Sequence, residues 1–154
     1  MFRIIATTAF VSLMATAGSA AVVDAFDLDV TTASGTDSTA ILEIGQTYEI
    51  KVSGTFRIGN NPTRHIADAE FFNLGSTPLA PIDTAGVGID GVDVEFGPAF
   101  NPLHVYSTRI VGTGSTINLF FQDSNYRDNS GSLAVEISAV PLPAGLALLL
   151  TGLA

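Results

Sequence analysis

Phe121-Gln122-Asp123-Ser124-Asn125-Tyr126-Arg127-Asp128-Asn129-Ser130-Gly131-Ser132-Leu133-Ala134-Val135-Glu136-Ile137 sets a short polar loop between two apolar runs. After the loop, Leu133, Val135 and Ile137 alternate with Ala134 and Glu136. Before it, Ile117, Leu119 and Phe121 alternate with Asn118 and Gln122. Alternation with a period of two puts every second side chain on one face, the pattern of a half-buried strand. Working outward, Tyr48, Ile50 and Val52 alternate with Glu49, Lys51 and Ser53. Further runs lie at Ala40 to Ile44, Ala69 to Asn73, Val87 to Ile89, Val92 to Phe96 and Val105 to Val111, divided by clusters of Gly, Asn, Asp, Pro and Thr. No segment between the two ends keeps the i, i+3, i+4, i+7 pattern of an amphipathic helix. Turn signals recur about every 8 to 12 residues, as in all-β sandwiches. The expected fold is therefore all-β, a single antiparallel β-sandwich over residues 40–139, entered by a loose Thr/Ser-rich leader over 21–39.

Composition narrows the function. The chain has 154 residues, 15 acids against 6 basic residues, and a formal net charge of −9. That charge opposes phosphate backbones and anionic lipid, so nucleic acid is not an expected partner. With no cysteine, disulfides, thiolate zinc sites and cysteine nucleophiles are excluded. His65 and His104 lack the H-E-x-x-H spacing of zinc proteases, and no G-x-S-x-G elbow or P-loop is present. Gly86-Val87-Gly88 and Gly112-Thr113-Gly114 read as turns or close backbone approaches, because no helix follows them. The chain is not expected to be an enzyme. Phe96, Phe100, Tyr106, Phe120 and Phe121 read as packing residues.

Both ends differ from the middle. Residues 1–20, MFRIIATTAFVSLMATAGSA, carry one basic residue, Arg3, then an apolar run, then Gly18, Ser19 and Ala20. This is the pattern of a secretory signal peptide, with cleavage expected near Ala20 or Ala21. Removing Arg3 and no acid takes the formal charge from −9 to −10. Residues 140–154 read VPLPAGLALLLTGLA. Val140-Pro141-Leu142-Pro143-Ala144 resembles the VPLPA form of the PEP-CTERM sorting signal of Gram-negative bacteria. That resemblance implies processing by an exosortase-type enzyme and a final address in the cell envelope, at the cell surface or in the extracellular matrix. Membrane contact is expected only through this C-terminal apolar segment.

Asp123, Asn125, Asp128 and Asn129 place four oxygen-bearing side chains in one loop, which suits a hard cation such as calcium. The same residues also favour ordinary turns. An EF-hand is excluded: with Asp123 first, Asp128 stands where Gly is needed and Ala134 where the closing Glu is needed. From Tyr126 to Val135 the sequence resembles the calcium-dependent galactophilic bacterial lectins. The resemblance implies a galactose-binding-like jelly-roll sandwich in which calcium is held by a loop aspartate, a Thr, two adjacent Asn side chains and carbonyls, and in turn holds two sugar hydroxyls. Those positions fall here on Asp123, Asn125, and the pair Asp128 and Asn129, with the Ile58 carbonyl as a further ligand. Asp68, two residues before Glu70 beside a polar loop, is a further candidate for contact with ligand. Two functions follow as expectations. One is an exported, calcium-stabilised module for carbohydrate or exopolysaccharide. The other is a structural envelope or biofilm-matrix protein whose loop only locks the fold.

Overall fold

The computed structural model describes residues 19–60, 65–74, 80–81, 86–97 and 99–141. Residues Ala20–Val140 form one compact unit. The expected signal peptide and the sorting-motif residues Leu142, Pro143 and Ala144 lie outside the described residues; Val140 and Pro141 are inside.

Every paired strand is antiparallel. The first sheet holds β1 (Ala21–Asp29), β12 (Ser132–Ala139), β3 (Thr47–Ser53) and β10 (Val105–Val111), in that order. The second holds β2 (Thr36–Asp37), β11 (Asn118–Gln122), β8 (Gly86–Ile89) and β9 (Val92–Asp93). A third is a meander of β4 (Phe56–Arg57), β5 (His65–Ala67), β6 (Phe71–Leu74) and β7 (Ala80–Pro81).

The alternation read in the sequence is what builds the core. Tyr48, Ile50 and Val52 of β3 and Leu133, Val135 and Ile137 of β12 turn inward, while Lys51 and Glu136 pair on the outer face at 2.7 Å. From the second sheet Val87, Ile89, Leu119 and Phe121 join the same apolar cluster. The third sheet is stapled to it by Phe56, whose ring meets Phe121 edge-on at 4.6 Å, and by the Val87 N–H donating to the Ala69 carbonyl at 3.2 Å. Gly88 lies directly under the Phe120 ring, a close approach that leaves no room for a side chain.

Two expectations need correcting. Residues 21–39 are not a loose leader, because β1 is a nine-residue strand along β12 with Leu28 fully buried. Phe26, Leu28 and Val30 alternate with Asp27 and Asp29, and burying that face outweighs the turn character of the Thr/Ser run that follows. Conversely, Ala40 to Ile44 is not a strand. Only Leu42 pairs, in one bridge to Ser115, while Ile41 and Ile44 point outward, 68% and 82% exposed. The meander from Phe56 to Pro81 adds a third antiparallel sheet to the other two.

Candidate functional site

The Asp123 loop leaves β11 and returns into β12. Its middle is a single 3-10 turn, Tyr126–Asp128, with Asn125 before it and Asn129 after it. The Asp123 N–H donates to the Tyr126 hydroxyl at 3.2 Å, and the Asn125 N–H donates to Asp123 Oδ1 at 3.3 Å. Beyond the turn, Ser130 exchanges two backbone hydrogen bonds with Arg57, each 3.0 Å. Antiparallel pairing of Arg57 with Ser130 sets Ile58 opposite Asn129. The loop is thereby fastened to the third sheet as well as to its own two strands. Gly131, at φ +108, makes the turn into β12 against Phe56.

Asn129 is buried. Its Nδ2 donates to the Val30 carbonyl at 2.9 Å, which fixes the amide so that Oδ1 faces away from that donor. Asn129 Oδ1 and Asp123 Oδ2 are both buried and neither has a hydrogen-bond partner. Buried polar atoms are nearly always partnered, and leaving one bare costs about 1–3 kcal/mol. Two bare acceptors, one carrying carboxylate charge, fall in the loop that the sequence marks for a cation. Asn125 is exposed and Asp128 half-buried, so these two stand at the solvent side of the loop. Among the described residues no three His, Asp or Glu side chains converge on a point. A cation here would depend on Asn and carbonyl oxygens alongside Asp123, a donor set that suits calcium and not zinc.

Asp68 lies elsewhere and does something else. It follows β5 in the turn to β6 and is fully buried. Oδ1 accepts the backbone N–H groups of Glu70 (2.9 Å) and Phe71 (2.7 Å). Oδ2 accepts the Tyr106 hydroxyl at 2.9 Å and lies 2.8 Å from His104 Nδ1. A carboxylate committed on both oxygens has no free edge for a ligand, so its expected binding role is replaced by that of a buried fastener. Asp68 and Glu70 both lie in the bend between β5 and β6. Burial pushes the Tyr106 hydroxyl up to about 12, an effect reinforced by the Asp68 charge. Burial also raises the Glu70 carboxyl, only partly offset by the Phe96 N–H that donates to it. Sequence reasoning gave no role to His104, which sits in the left-handed region at φ +52 with its ring against Phe100. Phe100, 42% exposed, packs edge-on against Phe71 and His104, a packing residue at the edge of the core.

No family model matches the chain, and no curated protein matches it. Among solved structures it is similar to the EclA N-terminal domain, described as a PllA-like lectin. The identity is 19%, covering 77% of this chain and 97% of that one, with a TM-score of 0.49.

Proposed function

We propose that this chain is an exported binding module in which Asp123, Asn129 and the Ile58 carbonyl, with Asn125 and Asp128 at the solvent side, hold calcium, and through it a carbohydrate of the envelope or extracellular matrix. The observation that carries the reading is the pair of bare buried oxygens, Asp123 Oδ2 and Asn129 Oδ1. A divalent cation satisfies both at once and compensates the Asp123 charge. The expected signal peptide and the VPLPA-like motif support an address outside the cytoplasm, where calcium modules typically work at affinities near 10⁻⁴ to 10⁻³ M. Processing by an exosortase-type enzyme belongs to the same proposal.

The test is thermal unfolding with calcium and with chelator. A site filled about 100-fold above its Kd adds about 2.7 kcal/mol, roughly 10 °C in Tm for a domain this size. Asp123→Asn and Asn129→Ala should each lose most of that rise. Asp27→Asn, an exposed acid on β1, should keep it. An unmoved wild-type curve on chelation would remove calcium from the reading.

The burial of both bare oxygens also favours the alternative, a cation that only locks the fold of a structural matrix protein. A glycan array with and without calcium separates the two. Sugar binding lost on chelation supports the module, whereas calcium-dependent stability with no glycan signal supports the structural role.

A further inference from the structure

The two outer strands of the first sheet differ in what covers them. Along β1 the segment that follows closes the edge: the Asp29 N–H donates to Thr36 Oγ1 at 3.0 Å, and Asp24 accepts the N–H groups of Thr39 and Ala40. A shift of register between Val22 and Asp24 also interrupts that strand. β10 lies at the opposite edge, beside β3 alone. Its seven residues keep an unbroken register, from Val105 opposite Ser53 to Val111 opposite Thr47.

The ladder fixes which backbone groups of β10 are engaged. The Gly54 N–H donates to the His104 carbonyl at 3.0 Å and the Gly112 N–H to the Gln46 carbonyl at 2.8 Å, so the even-numbered residues of β10 bond to β3. The Val140 N–H donates to the Thr47 carbonyl at 2.9 Å, and the odd-numbered residues of β3 bond to β12 instead. The N–H and carbonyl groups of Val105, Ser107, Arg109 and Val111 therefore point out of the sheet edge. Among the described residues the Val105 carbonyl alone of these has a partner, Asn101 Nδ2 at 2.7 Å, and a carbonyl can accept a second bond. No proline, bulge or inward-turned charge blunts this edge, and the one charged side chain of β10, Arg109, is exposed on the outer face.

We propose that β10 is the dimerisation edge of this protein, pairing antiparallel with β10 of a second copy about a twofold axis through Thr108. The strand itself dictates the register. With Thr108 opposite Thr108, Val105 meets Val111 and Ser107 meets Arg109, so every outward N–H and carbonyl finds its complement. A slip of one residue sets outward groups against groups already bonded to β3. A slip of two leaves a valine unpaired and, in one direction, sets Arg109 opposite Arg109. Beneath the join, Ile110, half-buried at the rim of the core, gains Tyr106 of the second copy as its cross-strand neighbour. A chain of net charge −9 repels its own copies, but β10, with one arginine and no acid, adds nothing to that repulsion. This self-complementary pairing favours a second copy over an unrelated extended segment. Because the two strands run in opposite directions, the Asp123 loops, each at the Val105 end of its sheet, emerge at opposite ends of the joined sheet. The proposal is independent of calcium and sugar.

Sedimentation equilibrium of the full chain should show a monomer–dimer equilibrium. Ser107→Pro removes an outward N–H and none of the bonds to β3, and should weaken dimerisation roughly tenfold or more, because symmetry removes the bond twice. Charge at the same exposed position spares the fold and tests the register. Ser107→Glu, facing Arg109 of the other copy, should tighten the dimer several-fold and Ser107→Arg should loosen it as much, with the Tm of the dilute monomer unchanged. Position 108 faces itself at a non-hydrogen-bonded site, where Cα atoms lie about 4.5 Å apart, within disulfide reach. The chain has no cysteine of its own. Thr108→Cys should therefore cross-link on mild oxidation much faster than Asp27→Cys, whose thiol meets another copy only by collision. A chain that stays monomeric at its highest soluble concentration overturns the proposal. A dimer indifferent to charge at position 107, or one that does not cross-link through position 108, has its interface elsewhere and overturns it equally.

Discussion

Asp68 brings together backbone and side chains that lie up to 38 residues apart, and replacing it tests whether a buried carboxylate fastens the third sheet to the first. Asp68→Ala leaves the Tyr106 hydroxyl and the Phe71 N–H facing a void, and should cost about 3 kcal/mol or more in urea unfolding. Tyr106 adds a pH signature. Its hydroxyl donates only while protonated, and folding raises its pKa from about 10 to about 12, so the folded state holds the proton over a range where the unfolded chain has lost it. Stability from this group is whole below pH 10 and declines by roughly 2 kcal/mol as pH rises to 12. Tyr106→Phe should be less stable at pH 7 yet flatter across that alkaline window. Glu70 acts in the same direction at lower pH. Its raised carboxyl favours the protonated fold, so stability is whole below the usual glutamate pKa and falls as pH rises through the folded value. Glu70→Gln should therefore be at least as stable as the parent at pH 7, with the gain gone at pH 4. None of this could be read from the sequence. Asp68, His104 and Tyr106 are partners only because β5, β6 and β10 meet in space, and a hydrophilic residue two positions from another looks the same whether its partner is water or a buried hydroxyl.

At the scale of elements, alternation was a sound guide wherever burial is one-sided. β10 runs from Val105 to Val111 as the sequence pattern indicates, and β3, β11 and β12 differ from it by a residue or two. It misled in two places for one reason: local pattern does not say which face has a neighbour. Phe26 and Leu28 find the sheet and make β1, whereas Ile41 and Ile44 find none. The candidate cation loop was the most legible part of the site, because Asp and Asn crowd into it. The placement of Ile58 opposite Asn129 depends on β4 pairing with Ser130, which sequence alone does not specify. β1 offers a direct test. Leu28→Ala should cost about 2–5 kcal/mol, a core penalty that no loose leader would show. Asp24 ties the strand to the next segment, accepting the Thr39 and Ala40 N–H groups at 2.6 and 3.0 Å. Burial pushes its carboxyl up, but those hydrogen bonds outweigh it and leave the pKa lowered. Its contribution is thus present above the usual aspartate pKa and lost as pH falls through the lower folded value. Asp24→Ala should lose about 1 kcal/mol at pH 7, with the gap closing in acid.

Across the whole molecule, the two ends of the first sheet carry different chemistry. The seven residues of β3, at about 3.3 Å each, separate the Asp123 loop from the Val140 exit by on the order of 20 Å.

The strand order of that sheet also decides when it can form. β12, the last strand among the described residues, lies between β1 and β3, the first long ones. A polypeptide that emerges or is threaded N-terminus first therefore carries both flanking strands with their pairing edges open until Ser132–Ala139 arrives to fill the gap. Closing contacts across more than a hundred residues is slow, since the entropy of the whole intervening loop is lost before the pairing is gained. The first sheet is thus completed only when β12 is in place. Stopping synthesis before Ser132 should give a chain with no cooperative thermal transition, and the full chain should refold on the millisecond-to-second scale of high contact-order β-proteins.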